Sequence, residues 1–174
     1  MPVPIAPTAA VAGQAARAGV QFNTLAAQVA FLLDPPSVFA YQSVAQSIAT
    51  ATFTAITFDA ELTDTDNVHS LVTNPSRLTM VTPGRYRVSG QLTWGSNTTG
   101  YRSLRLFKNG ITFAISRVQP LSSAAPMYMQ IFDEIVCVAG DYLELISEQT
   151  TGAALSTGPG PESTWLKARW AGIS

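Results

Sequence analysis

Few residues in this chain could do chemistry. Covalent or acid–base catalysis needs a nucleophile, a base and an orienting group within reach of one another. The one histidine, His69, stands in "TDNVHSL" beside several carboxylates but without a triad signature. The one cysteine, Cys137, lies in the apolar run "IFDEIVCVAG", where a buried, inert thiol is the ordinary outcome and where no second cysteine offers a disulfide. The glycine-containing stretches "TTG" and "GPGP" lack the lysine and the strand-to-helix setting of a phosphate cradle. Hydrolase and nucleotide-binding classes fall away, and the expectation is no catalytic residue and no cofactor.

Oxygen donors gather in "DTDN", where Asp64, Asp66 and Asn67 offer the hard ligands that calcium takes. The downstream glycine and bidentate glutamate of an EF-hand are missing, and Asp and Asn also form turns unaided. Recognition chemistry has a second candidate in the loop "GSNTTG" and the two residues after it. Asn97, Tyr101 and Arg102 could present a binding surface at one end of a scaffold, since loops on rigid elements carry recognition. A plain solvent loop is the alternative.

The elements that must position these residues change character at residue 37. Residues 1–7 hold three prolines and read as extended, and Thr8 can cap a helix beginning after it. From there to Leu33 the chain is rich in Ala and Gln. Phe22, Leu25, Ala26, Val29 and Leu32 recur at helical spacing and form one apolar stripe, although Gly13 and Gly19 weaken the first half. Asp34-Pro35-Pro36 ends the helix. This gives an anchor segment, 1–36, and a second domain, 37–174.

In that domain the period becomes two. In "RYRVSGQLTW", Tyr86, Val88, Leu92 and Trp94 point one way and Arg85, Arg87, Ser89, Gln91 and Thr93 the other, as in a strand with one face in a core. "LRLFKNGITFAI" gives two runs about Asn109-Gly110, the dipeptide of a tight type I′ hairpin. Further runs lie at "VFAYQSVAQSI", "ATFTAITFDAEL", "NPSRLTMV", "MYMQIFDEIVCV", "DYLELISEQ" and "STWLKARWAGI", separated by Gly, Pro and Asn. The predicted class is all-β, roughly eight to ten short strands in a sandwich or jelly roll.

Charged residues make up 12% of the chain, against about 25% in ordinary soluble domains, and the net charge is −1. Scattered basic residues leave no footprint for nucleic acid, and no stretch of about 20 apolar residues predicts membrane insertion. A surface so poor in charge suits subunit contacts.

The segment from Val38 to Ile173 resembles the globular heads of the complement C1q type, within the tumour-necrosis-factor-like jelly-roll superfamily. The likeness rests on "FDAELTDTDNVH", "TPGRYRVSGQLTW", "RLFKNG", "VAGDYLELISEQTTG" and a closing aromatic strand at Trp165. The ending departs from the usual aromatic-x-Gly, having "WLKARW" instead. The lead "AGVQFNTLAAQVAFLLDPP" looks like that of small bacteriophage virion proteins carrying such heads. The resemblance implies an antiparallel jelly-roll sandwich of about ten strands that assembles as a non-catalytic homotrimer, made in the host cytoplasm and placed in the virion. It would be a minor tail or fibre protein or a capsid decoration protein, partnered by other virion proteins and by a host surface. Phe22, Leu25, Val29 and Leu32 would then form the particle anchor. A soluble bacterial C1q-like ligand-binding module is the alternative.

Overall fold

The computed structural model describes residues 9–120 and 125–173. The extended lead and the Thr8 cap expected from the sequence lie outside the described residues. The chain divides into two compact units, one ending at Pro35 and the other beginning at Pro36.

The first unit carries one helix, α1 (Ala9–Leu33). It runs through Gly13 and Gly19 without a break, so the helix-forming Ala and Gln around them outweigh the roughly 1 kcal/mol that each glycine costs. It ends where the Asp34 amide donates to the Ala30 carbonyl at 3.0 Å, just before the two prolines. Neither an acidic first turn nor a basic last turn complements its dipole. Phe22, Leu25, Val29 and Leu32 are all exposed, Phe22 by 71%. No described helix is long and apolar enough to cross a membrane.

The second unit is built of strands. In chain order they are β1 (Ser37–Tyr41), β2 (Ser47–Ile48), β3 (Thr54–Ala55), β4 (Ala60–Asp64), β5 (Arg77–Thr79) and β6 (Gly84–Trp94). After these come β7 (Arg102–Lys108), β8 (Ile111–Val118), β9 (Met127–Cys137), β10 (Tyr142–Gln149), β11 (Leu155–Ser156) and β12 (Trp165–Gly172). One five-stranded sheet has the order β4-β1-β12-β6-β9, and the other runs β3-β10-β7-β8 with β5 also on β10. The strands pair antiparallel throughout both sheets. A short β2–β11 pair lies apart from them.

The core lies between the sheets. Val38 and Ala40 of β1, Tyr86, Val88, Leu92 and Trp94 of β6, Leu104 and Leu106 of β7, and Leu143 and Leu145 of β10 fill it, as period-two alternation dictates. The expected hairpin is present: Asn109 has φ 50° and Gly110 φ 77°, the two positive values that a type I′ turn demands. Gln91 and Thr93, expected to face outward into water, are buried. Gln91 Nε2 donates to the Glu162 and Ser163 carbonyls at 2.6 and 3.0 Å, and Thr93 Oγ1 donates to the Ser163 carbonyl at 2.8 Å. The segment leading into β12 is thus folded over that end of the sheet and sealed by side-chain hydrogen bonds.

Candidate functional site

Register across the first sheet sets out its outward face in rows. Tyr41, Trp165, Gln91 and Gln130 form one row; Phe39, Lys167, Ser89 and Phe132 form the next; Ser37, Arg169, Arg87 and Glu134 form a third. The first two rows are aromatic at their β1–β12 side. The Phe39 ring meets Tyr41 edge-on at 6.3 Å and Trp165 at 5.9 Å between centroids. Lys167 lies flat on this cluster, its Nζ 3.8 Å from the Phe39 centroid and 4.1 Å from that of Trp165. Burial among the rings pushes the ammonium pKa down. Two ring faces hold the charge by cation–π attraction, and among the described residues no carboxylate reaches it within ion-pair distance.

Further large apolar side chains stand in water at the sheet edges, those of β9 on the same outward face as the aromatic rows. β8 ends one sheet and β9 the other, and the two strands approach each other across the sandwich. On β8, Ile111, Phe113, Ile115 and Val118 are exposed; on β9, Tyr128, Phe132 and Val136 are. A shallow hollow beside them is lined by Arg87, Val88, Ser89, Phe132, Asp133 and Glu134. Large apolar side chains left in water along both edges mark an interaction surface better than single exposed residues would.

The calcium candidates are spent on the local turn. Asp64 accepts the Val68 amide on Oδ1 at 2.9 Å and the His69 amide on Oδ2 at 2.8 Å, and Asp66 Oδ2 accepts the Thr82 amide at 3.2 Å. Asn67 supplies a left-handed residue, φ 51°. Among the described residues no cluster of three or more His, Cys, Asp or Glu side chains could hold a metal ion. His69 is buried, with Nδ1 2.6 Å from Glu61 Oε1 and Nε2 3.0 Å from the Pro75 carbonyl, so neither nitrogen is presented to a nucleophile. Cys137 is buried, and burial pushes its thiol up to about 11, far from the thiolate that chemistry needs.

Arg102 corrects the expectation of a binding loop. It shares the inward parity of Leu104 and Leu106 and is only 1% exposed. Its Nη1 donates to the Thr99 and Tyr101 carbonyls at 2.9 and 3.2 Å and its Nη2 to the Asn97 carbonyl at 3.1 Å. A guanidinium that satisfies three carbonyls is a strut for the loop and offers nothing to a ligand. Asn97 closes its own turn by accepting the Thr99 amide at 2.8 Å. Tyr101 remains partly exposed, its ring covered by the Arg117 guanidinium at 4.4 Å. The structure thus keeps these three residues close together, but as a braced loop.

Solved structures share this arrangement of strands. The globular domain of a zebrafish complement 1qA protein superimposes with a TM-score of 0.58 at 13% identity, covering 80% of this chain and 99% of that one. Murine APRIL gives 0.61 at 11%, covering 78% and 98%. Eiger, a TNF from S. frugiperda, gives 0.58 at 13%, covering 80% and 95%.

The fold is the C1q/tumour-necrosis-factor jelly roll.

No protein-family model matches the chain, and no curated protein matches it in sequence. At such low identity the likeness extends to the course of the jelly roll alone. The aromatic face around Lys167 and the apolar β8–β9 edge are features of these particular side chains. Sequence reasoning missed both as sites. Alternation in "SVFAY" and "WLKARW" could have placed Phe39, Tyr41, Trp165 and Lys167 on one parity, but pairing of β1 with β12 was needed to bring them together.

Proposed function

We propose that this jelly roll is a non-catalytic, homotrimeric head of a bacteriophage particle, attached to the capsid or tail through the segment 1–36 and available for contact with a host surface. The observation that supports the assembly is the amount of large apolar side chain left exposed, across the outward face of the first sheet from the Phe39, Trp165 and Lys167 cluster to Phe132 and along β8. Contacts between different parts of such a surface run head to tail and close into a ring when the rotation permits. Ring closure at three follows the C1q-type resemblance. A chain with 12% charged residues is suited to surrendering such surface.

The attachment reading is supported by α1, whose apolar stripe of Phe22, Leu25, Val29 and Leu32 is exposed, and by the likeness of its lead to that of phage virion proteins. Light scattering during size exclusion tests the assembly: the expected mass is three times 18.5 kDa, and a stable monomer at micromolar concentration overturns it. Imaging of particles carrying labelled protein tests the attachment, with label expected on shell or tail and an unlabelled particle counting against it.

A further inference from the structure

Among the described residues, five buried side-chain polar atoms have no hydrogen-bond partner: Trp94 Nε1, Arg102 Nε, Ser103 Oγ, Arg105 Nε and Glu148 Oε2. Three of the five belong to one place. Ser103 of β7 opposes Glu148 of β10 in the ladder, and Arg105 follows two residues on. Leu104, Leu106 and Leu145 point into the core, so by alternation these three lie on the outward face of the second sheet. Ser103 is fully buried there and Glu148 is 8% exposed, which keeps water from atoms that need a partner.

The pair at the centre is held open. Arg105 Nη2 stands 4.0 Å from Glu148 Oε2, beyond hydrogen-bond reach, and its guanidinium lies over the Phe53 ring at 4.2 Å. With its Nε also unpaired, the guanidinium can shift over that ring and admit a ligand. Two hydrogen bonds of ~2.8 Å that meet near a right angle span such a gap, so one hydroxyl could accept from Arg105 and donate to Glu148. Ser103 Oγ can serve a second hydroxyl, since it both donates and accepts.

The surroundings narrow the ligand. Ile146 and Ile115 oppose Arg105 on its two sides in the ladder, and Phe53 and Ile115 are exposed, so apolar surface borders the polar centre. Arg117 opposes Ser103 and lies over the Tyr101 ring, while desolvation first and then the Glu148 carboxylate push the Tyr101 phenol up. Glu148 at the centre repels an anion, and the two arginines repel a metal ion or an amine. A neutral molecule with adjacent hydroxyls and apolar C–H faces meets all these demands.

We propose that the outward face of the second sheet around Ser103, Arg105 and Glu148 binds a neutral saccharide, one of whose hydroxyls bridges the gap between Arg105 and Glu148. The inference rests on the reading of the head as available for contact with a host surface, and it names the group that would be met there.

Saturation-transfer NMR on the full chain tests it, with the methyl glycosides of glucose, galactose, mannose, rhamnose and N-acetylglucosamine at millimolar concentration and the anionic methyl glucuronide as control. Transfer to at least one neutral glycoside is expected. Glu148→Gln and Ser103→Ala should each weaken that binding about tenfold or more, read by titration of the protein's amide signals. Ser103→Ala removes a buried hydroxyl without breaking a hydrogen bond, so the thermal transition of the free chain should stay in place or rise, and its lost binding cannot then be laid to misfolding. Transfer to none of the neutral glycosides overturns the site, as does binding that both variants leave unchanged. Transfer to the glucuronide alone overturns the neutral class. Absence of label from particles defeats the host-contact reading and leaves the glycoside result as it stands, so the two failures are told apart.

Discussion

The helix and the sandwich both carry large apolar side chains, and they treat them in opposite ways. In the sandwich, Phe58, Tyr86 and Trp94 are sealed between sheets, whereas on α1 Phe22, Leu25, Val29 and Leu32 stand in water. The jelly roll contains within itself the partners that its core strands need. The helix carries its apolar stripe on one face of a single element and has no second layer of its own to seal it. The core that stabilises the second unit therefore lies within the sandwich.

The largest effect should come from removing a side chain that the sandwich seals. Trp94→Ala should destabilise the fold by about 4 kcal/mol, the usual range for a buried large aromatic, as measured by urea unfolding followed by tryptophan fluorescence or circular dichroism. Trp94 is fully buried and lies 5.9 Å from the Arg102 guanidinium, so the loss would also loosen the loop that Arg102 braces. If Trp94→Ala unfolds no more easily than the original chain, the sandwich does not owe its stability to this core.

An intermediate effect is expected at the β9–β10 turn. Burial works to raise the Asp141 carboxyl, but hydrogen bonds from Lys108 Nζ, Asn109 Nδ2 and the Val138 amide outweigh it and hold the pKa at about 2. A pKa depressed in the folded state stabilises fully above the unfolded value of 3.8 and is lost as pH falls through that value toward 2. Asp141→Asn should thus cost about 1–2 kcal/mol at neutral pH and almost nothing at pH ~2. Unfolding measured at both pH values checks it, and an equal cost at both would remove the charge from the explanation.

Cys137→Ala comes next, at about 1 kcal/mol for a small buried truncation. The thiol is sealed and shifted up to about 11, so a thiol-reactive probe should label the native protein far more slowly than the urea-unfolded chain. Rapid labelling of the folded protein would contradict its burial.

Much of the sandwich was legible from local pattern. Alternation in residues 84–94 placed Tyr86, Val88, Leu92 and Trp94 in the core, and Asn109-Gly110 placed the hairpin, because both signals depend on backbone geometry within a few residues. Gln91 and Thr93 were misplaced because their burial depends on carbonyls far along the chain, at Glu162 and Ser163. Arg102 was misread for a related reason. Its parity with Leu104 and Leu106 was visible, but the carbonyls that make an inward guanidinium tolerable come from the fold of the 97–101 loop. The exposure of Ile111, Phe113 and Ile115 was hidden as well, since a strand's place at a sheet edge belongs to topology and leaves no mark in its own residues.

The smallest effect on stability should fall on the helix. Replacing Phe22, Leu25, Val29 and Leu32 together by Gln removes four large apolar side chains, a change that inside a core would unfold the protein. Here they are exposed, and surface substitutions usually stay within about 0.5 kcal/mol each. The thermal transition of the jelly roll should therefore be unchanged. Loading onto particles that lack the native protein should be lost if the stripe is the anchor proposed above. Measuring both on one variant separates the roles. A lowered transition, or loss of the trimer, would assign the stripe to the head's own assembly, and normal loading would exclude it as the anchor. A stable head that no longer loads would leave the helix a single role, which is to present apolar surface outside the folded core for the particle to cover.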